Sequence, residues 1–262
     1  MEQLTFGIRR FKAPDPRSET FDRVHEVLNW NPEETAAAQS DMWDQHWCKG
    51  ATARVREMAP RMNEVFFKLR EMGVLIVHGP SDTLDRYREH PARRRVLEAA
   101  RACPRPDYPD LEVNTLPLPL DASDEGCWCE PKCEVRRAWS GQTDLIPIDE
   151  RDAITDSEDI FSLYKARGIK NVLFFGVHLN MCVLNRPFAI RALLRRGFNV
   201  VLVRDLTDAM YNPALPPYVD HFTGNDLLIA HIEKYICPTT TSDEFIGGAP
   251  FRFREDQRTN RE

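Results

Sequence analysis

Three groups of residues in this chain are of types that do chemistry. The first is Cys182, six residues after Gly176 in the stretch 171–205, NVLFFGVHLNMCVLNRPFAIRALLRRGFNVVLVRD. A thiol at the start of a helix meets unpaired N–H groups that favour an anion, and such a thiol can be lowered toward the nucleophilic thiolate. The other reading is a buried structural cysteine. The second group is Asp41-Met42-Trp43-Asp44-Gln45-His46-Trp47-Cys48, with two acids, a histidine, a thiol and two indoles in eight residues. It reads either as chemistry with ligand stacking, or as a loop whose tryptophans pack on the core and whose aspartate caps the next helix. The third is Cys127, Cys129 and Cys133, a C-x-C-x3-C run. It offers either a soft metal site or free thiols in a lid, and it lacks the paired C-x2–4-C spacing usual for structural zinc.

The elements that would position these residues alternate between strand and helix. Residues 172–175 and 200–203 are β-rich runs around a helical pattern (Val183, Phe188, Ala189, Ala192, Leu193), and Gly197 closes that pattern. Residues 51–72 carry a helical stripe, with Pro60 expected to kink or split it, and Val74–Val77 reads as a central parallel strand. That strand leads to His78, which is a satisfied structural histidine or a contact to substrate. Further helices are expected over 83–101, from Asp156 or Ser157 to Arg167, and over 224–235. Short strands are expected at 144–150 and near 241–246. Residues 35–40, TAAAQS, are poor strand formers by propensity. The stretch 102–143, rich in Pro and Asp, is long for a connection and reads as a lid. Residues 1–34 read as an N-terminal arm, 35–249 as one domain, and 250–262 as a charged tail.

Strands and helices in alternation predict an α/β fold with a parallel sheet, whose strand ends converge at one edge. The ends carrying Asp41, His78, Glu150, His178 to Cys182 and Asp205 would face one cleft, with the backbone N–H groups of 178–182 as oxyanion donors. The 262 residues, 42% hydrophobic, suffice for one large core. A net charge of −6 and a pI near 5.7 exclude the basic footprint of a nucleic-acid binder. No apolar run approaches a membrane span, and no signal-peptide pattern opens the chain. Seven cysteines without a signal suggest free thiols in a reducing, cytoplasmic setting.

Asp41 at the end of the first strand, Gly176-Val177 four residues before Cys182-Val183, and Gly197-Phe198 leading to Val200, Val203 and Asp205 together resemble the isochorismatase-like cysteine hydrolase superfamily. That group includes nicotinamidases and N-carbamoylsarcosine amidase. The resemblance covers roughly 35–246. It implies a three-layer α/β/α, Rossmann-like fold with a six-stranded parallel sheet, Cys182 as nucleophile and Asp41 as its base. It also implies a cis peptide between Val177 and His178, shaping an oxyanion hole with Met181. Trp43, Trp47, His78 and the lid would enclose a small-molecule substrate with an amide or related C–N bond.

A homo-oligomer is expected, and no cofactor is required. A divalent metal on Asp44 and His46 is the minor variant, by analogy with the Asp/His site of nicotinamidases. The chain departs from the family pattern where a lysine is usual: 148–151 reads Ile148-Asp149-Glu150-Arg151, leaving Arg151 or Glu150 at that position. The alternative reading is therefore a catalytically silent member that keeps its pocket for a ligand or a partner.

Overall fold

A computed structural model of the chain describes residues 3–15, 18 and 20–259; residues 1–2, 16–17 and 19 of the expected arm and 260–262 of the expected tail lie outside the described residues. Eight strands form one sheet: β1 (Leu4–Lys12), β2 (Asp22–Trp30), β3 (Thr35–Ser40), β4 (Leu75–Gly79), β5 (Ala153–Ile154), β6 (Asn171–Val177), β7 (Asn199–Asp208) and β8 (Thr239–Thr240). Their order is β2-β1-β8-β7-β6-β3-β4-β5. The run from β8 to β5 is parallel throughout, whereas β1 pairs antiparallel with both β2 and β8. The sheet thus has eight strands rather than six, because the stretch expected to be an arm folds into a hairpin. Leu4, Phe6 and Ile8 of β1 face inward in strict alternation and Trp30 closes the hairpin edge-on to Phe6, which anchors the segment to the sheet.

Among the described residues seven α-helices accompany the sheet: α1 (Lys49–Glu71), α2 (Pro91–Ala102), α3 (Ile160–Arg167), α4 (Cys182–Asn185), α5 (Ile190–Arg195), α6 (His221–Tyr235) and α7 (Asp243–Ile246). Alternate strand residues feed two apolar clusters. Ala37, Ile76, Leu173, Phe175 and Val201 pack with Val55, Met58, Met62, Val65 and Phe66 of α1. Ala36, Ala38, Val77, Val172 and Phe174 pack with side chains from α2 through α6. Helices therefore cover both faces, and β3 is buried at all six positions. TAAAQS becomes the central strand because alanine is small enough for the helices and for both neighbouring strands to close on it, a context that overrides propensity.

Several local expectations change. Pro60 neither splits nor ends α1, since it lies on the exposed side, where the carbonyl it leaves free meets water. The expected 83–101 helix starts only at Pro91, after a 3-10 turn over Leu84–Tyr87. Residues 144–150 are a turn rather than a strand, and β5 follows at Ala153. The strand expected near 241–246 is the shorter β8, followed by α7. The helical pattern after Cys182 breaks in two at Pro187. Between α2 and β5 the chain has no helix or strand of its own, apart from a single bridge between Trp43 and Gln142.

Candidate active site

In the parallel part of the sheet the chain starts at β3, builds outward through β4 and β5, then crosses back to place β6 on the other side of β3. The strand order reverses between β3 and β6, and such a switch point opens a crevice at the carboxyl ends of the two strands. Asp41 directly follows β3, and Cys182 follows β6 after a four-residue turn. The register Ser40↔Gly176 sets these ends side by side. A Cβ at Gly176 would stand 2.2 Å from the Ser40 carbonyl oxygen, and its φ is +100°, so only glycine fits there.

Asp41 is fully buried and left-handed, with φ 54°. Its N–H donates to the Gly79 carbonyl at 2.9 Å, and its carboxylate accepts from the Ser81 N–H at 3.0 Å and from Arg186 Nε at 3.3 Å. The Cys182 thiol lies beside this carboxylate, close enough for each to shift the other's titration. Burial raises the Asp41 pKa; the Arg186 charge and these hydrogen bonds oppose it without cancelling it. Burial first, and the Asp41 charge second, push the Cys182 thiol up to about 12. The thiolate expected from a helix start is thus absent in the resting site. The helix at Cys182 is four residues long, too short for a macrodipole to offset burial beside a carboxylate.

The cation beside this pair is Arg186. Pro187 disfavours helical geometry in the residue before it, so Arg186 leaves α4 extended, with φ −59° and ψ 154°. Its side chain turns back to Asp41 and, at 3.6 Å, to Asp82. Arg151 and Glu150 are not in the site. Arg151 is exposed, paired with Asp149 at 2.9 Å, and lines a hollow with Gly73 and Leu75 at the opposite, starting end of β4. Glu150 is exposed in the turn before β5. The expected position fails because the third parallel strand runs later than 148–151: its end is Thr155-Asp156, and no lysine stands there.

The turn 177–182 has the expected cis peptide between Val177 and His178. The Met181 N–H, expected as an oxyanion donor, instead donates to the His178 carbonyl at 2.9 Å, and the Leu179 N–H donates to the Asp208 carbonyl at 2.8 Å. The Cys182 N–H makes no backbone hydrogen bond among the described residues and remains free to donate. His178 is buried against His46, ring centroids 4.9 Å apart, and burial holds its pKa well below the usual value.

Trp43 is buried and stacks on Trp139 at 4.2 Å, with its indole N–H donating to the Ser81 carbonyl. His46 stacks beside both rings and meets half-buried Trp47 at 5.1 Å. These rings form an aromatic wall beside the Asp41 strand end, with one ring, Trp139, contributed by the 102–143 excursion. His78 is not part of the wall. It lies beneath the excursion, bridging Asp152 at 2.9 Å and Gln142 at 3.1 Å, and Gln39 donates to the same Gln142 oxygen. Its role is to fasten the end of the excursion to the sheet.

Asp44 and His46 do not fit a metal pair. The Asp44 carboxylate is occupied by the Ser140 N–H and hydroxyl, and His46 Nδ1 accepts from the Cys48 N–H at 3.1 Å. Burial, with help from the Arg54 charge, lowers the His46 pKa to about 4. Among the described residues, the group whose donor atoms come within metal-binding reach is Cys48, Cys127 and Cys129.

A second charged cluster lies beyond His178. Asp208 accepts from Arg54 Nε at 2.7 Å and from Asn225 at 3.0 Å, and its carboxylate lies 2.8 Å from His221 Nε2. Asp205, expected to face the cleft, instead caps α7, accepting from the Ser242 N–H at 2.9 Å and from the Phe251 N–H at 2.8 Å. β7 is irregular opposite Phe174–Gly176 and continues past Asp205, so Asp208 reaches the edge in its place. Arg186, Trp139, Asp208, His221 and Arg54 were not singled out from sequence. Only Arg186 had a local signal, the proline after it. A surface hollow of about 580 Å³ opens along the outer side of Arg186, lined also by Tyr108, Pro187 and Arg195, while Cys182 and Asp41 lie outside its lining.

No family model matches the chain, and no curated protein matches it either. Solved structures to which it is similar include a cysteine hydrolase from Pseudomonas syringae pv. phaseolicola 1448A, at 17% identity over 82% of this chain and 92% of that one, TM-score 0.49. A putative isochorismatase from Burkholderia xenovorans LB400 is 13% identical over 84% and 90%, TM-score 0.49. The pyrazinamidase of Pyrococcus horikoshii, in complex with zinc, is 18% identical over 76% and 94%, TM-score 0.41. Among the described residues no helix is long and apolar enough to cross a membrane.

Proposed function

We propose that this chain is a divergent isochorismatase-like cysteine hydrolase of three-layer α/β/α build, cleaving an amide or related C–N bond in a small molecule. The observation that carries the reading is the buried Asp41 carboxylate beside the Cys182 thiol at the switch point, with Arg186 on the carboxylate. Because the thiol is held neutral, with a pKa up to about 12, attack requires a base in contact with it. Asp41 takes the thiol proton as Cys182 Sγ bonds to the carbonyl carbon, and the Cys182 N–H donates to the oxyanion that forms. On collapse the C–N bond breaks, and Asp41 returns the proton to the leaving nitrogen. Water, deprotonated by the same carboxylate, then opens the thioester, releases the acid and restores the thiol.

Arg186 orients the Asp41 carboxylate and limits the rise of its pKa. The cation that the missing lysine left unassigned is thus supplied from α4's own exit, which weighs against a silent pocket. Trp43, Trp139 and Trp47 would hold a flat substrate and exclude water. The enzyme so described needs no resident cofactor for this chemistry; a cytoplasmic homo-oligomer is the form proposed. Screening small primary amides and N-carbamoyl compounds for ammonia release tests it. Turnover that falls by about 10⁶-fold in Cys182→Ala is expected, and turnover that survives that change would overturn the covalent route.

A further inference from the structure

We propose that Cys48, Cys127, Cys129 and Cys133 form a structural zinc site that pins the 102–143 excursion to the start of α1, beside the active-site turn. Cys48 is the N-cap of α1 and the other three come from the excursion, about eighty residues later. None of the seven cysteines is in a disulfide. Donor atoms of Cys48, Cys127 and Cys129 all lie within 4.8 Å of one another, and Cys133 packs against the same cluster, its Sγ accepting from the Lys49 N–H next to Cys48. Cys48 Sγ and Cys129 Sγ are 3.7 Å apart. Ligands about 2.3 Å from a tetrahedral zinc would be separated by about 3.8 Å. Four thiolates in tetrahedral array select zinc among the common metals.

Backbone donors are aimed at the sulfurs. The Gly50 N–H points at Cys129 Sγ (3.3 Å) and the Lys49 N–H at Cys133 Sγ (3.4 Å), while Cys48 and Cys127 have the other sulfurs as neighbours. Each of the four sulfurs has at least one such donor or sulfur partner, the arrangement by which outer hydrogen bonds orient metal ligands. A second observation is independent of the cysteines. Arg54 is 2% exposed, and its Nη1 has no hydrogen bond among the described residues, its nearest acid oxygen, on Glu255, being 3.9 Å away. A Cβ built at Gly50 would lie 3.2 Å from that nitrogen, 3.3 Å from Cys129 Sγ and 3.9 Å from Cys48 Sγ. A buried guanidinium with donor capacity to spare thus lies across Gly50 from the sulfurs, and its charge offsets part of the net −2 that four thiolates leave on a divalent zinc. Binding releases the four thiol protons to solvent, with no change in oxidation state.

The site explains how an excursion without secondary structure is held. Gly126 sits against the Met210 backbone, where a Cβ would meet the carbonyl oxygen at 2.5 Å, and Met181, the residue before Cys182, packs on the cysteines. Trp47 packs there too and joins them to the aromatic wall.

The test uses the full chain with Cys182→Ala, so that its outcome does not depend on catalysis. Protein purified in reductant without chelator should carry one zinc per chain, with Cys103 and Cys237 still reactive after unfolding in the presence of excess zinc. Cobalt in place of zinc should give intense thiolate-to-cobalt charge-transfer absorption. Cys133→Ser, at the most exposed ligand, should cut that absorption and weaken cobalt binding at least tenfold, whereas Cys103→Ser should change neither. Metal removal should speed hydrogen exchange across 103–142 but not in β3 or β6. Fully reduced protein that takes up no zinc or cobalt would overturn the proposal. So would a mass lower by two hydrogens, marking a disulfide among these four, or iron in place of zinc.

Discussion

Two buried charge clusters share one edge of the sheet, and they treat their acids in opposite ways. In the Arg54–Asp208–His221 cluster, burial works to raise the Asp208 pKa, but the charges of Arg54 and His221 outweigh it and hold the carboxyl far below the usual range. Both carboxylate oxygens of that acid are engaged, Oδ2 by Arg54 and Oδ1 by His221 and Asn225. In the Asp41–Cys182–Arg186 cluster burial prevails: the acid stays raised, and the thiol beside it is raised further. The difference lies in the cation. Arg54 is enclosed and grips Asp208 at 2.7 Å, while Arg186 is partly exposed, stands 3.3 Å from Asp41 and is shared with Asp82. A carboxylate gripped by an enclosed cation is a structural anchor, whereas one whose cation is partly exposed and shared, next to a thiol, is a base with somewhere to send a proton.

The comparison breaks most severely at Asp208. Asp208→Asn leaves Arg54 buried without its counter-charge and should cost about 3–5 kcal/mol in chemical denaturation at neutral pH. Because the folded pKa of Asp208 is depressed, its stabilisation is present above the unfolded value of about 3.9 and is lost as pH falls below it. The wild-type and Asn proteins should therefore converge in stability toward acid pH. A cost below about 1 kcal/mol would remove Asp208 as an anchor.

A smaller effect is expected at Arg186. Arg186→Gln should slow Cys182 acylation at neutral pH by about tenfold, about 1.4 kcal/mol, and move the acid limb to higher pH, since the charge that restrains the Asp41 pKa is gone. Arg151→Gln should leave both unchanged. Equal effects of the two changes would mean that the exposed arginine, not Arg186, serves the site.

That Asp41 and Cys182 share one sheet edge was legible in the sequence because Asp41 directly follows one strand and Cys182 lies one short turn beyond another, where local pattern and position agree. Their partners were not, for reasons that differ by residue. Arg186 is aimed by Pro187, a local rule that reads well only once Asp41 is known to lie opposite. Asp205 and Asp208 are equally plausible strand ends until the irregular pairing of β7 fixes its length. Residues 1–34 hid a hairpin because its alternation is half-polar and only the pairing with β8 gives it a buried face. TAAAQS looked unfit for a strand, since propensity says nothing of how closely neighbours must approach. The C-x-C-x3-C run signalled weakly because its fourth partner, Cys48, lies far away in sequence and was counted with a different cluster.

The claim that a neutral thiol is activated by Asp41 is tested most directly by the pH dependence of Cys182 alkylation with chloroacetamide, followed by intact-protein and peptide mass spectrometry. An unassisted thiol reacts about tenfold faster per pH unit until near its ordinary pKa of about 8.5. The coupled pair carries one shared proton between the Asp41 limb and the Cys182 titration near 12, so its rate should be flat from about pH 7 to 9 and fall on the acid side. Asp41→Asn should abolish the plateau and slow the reaction at pH 7 by about 10²-fold or more. A wild-type rate that climbs tenfold per unit across that range, unchanged by Asp41→Asn, would contradict the account.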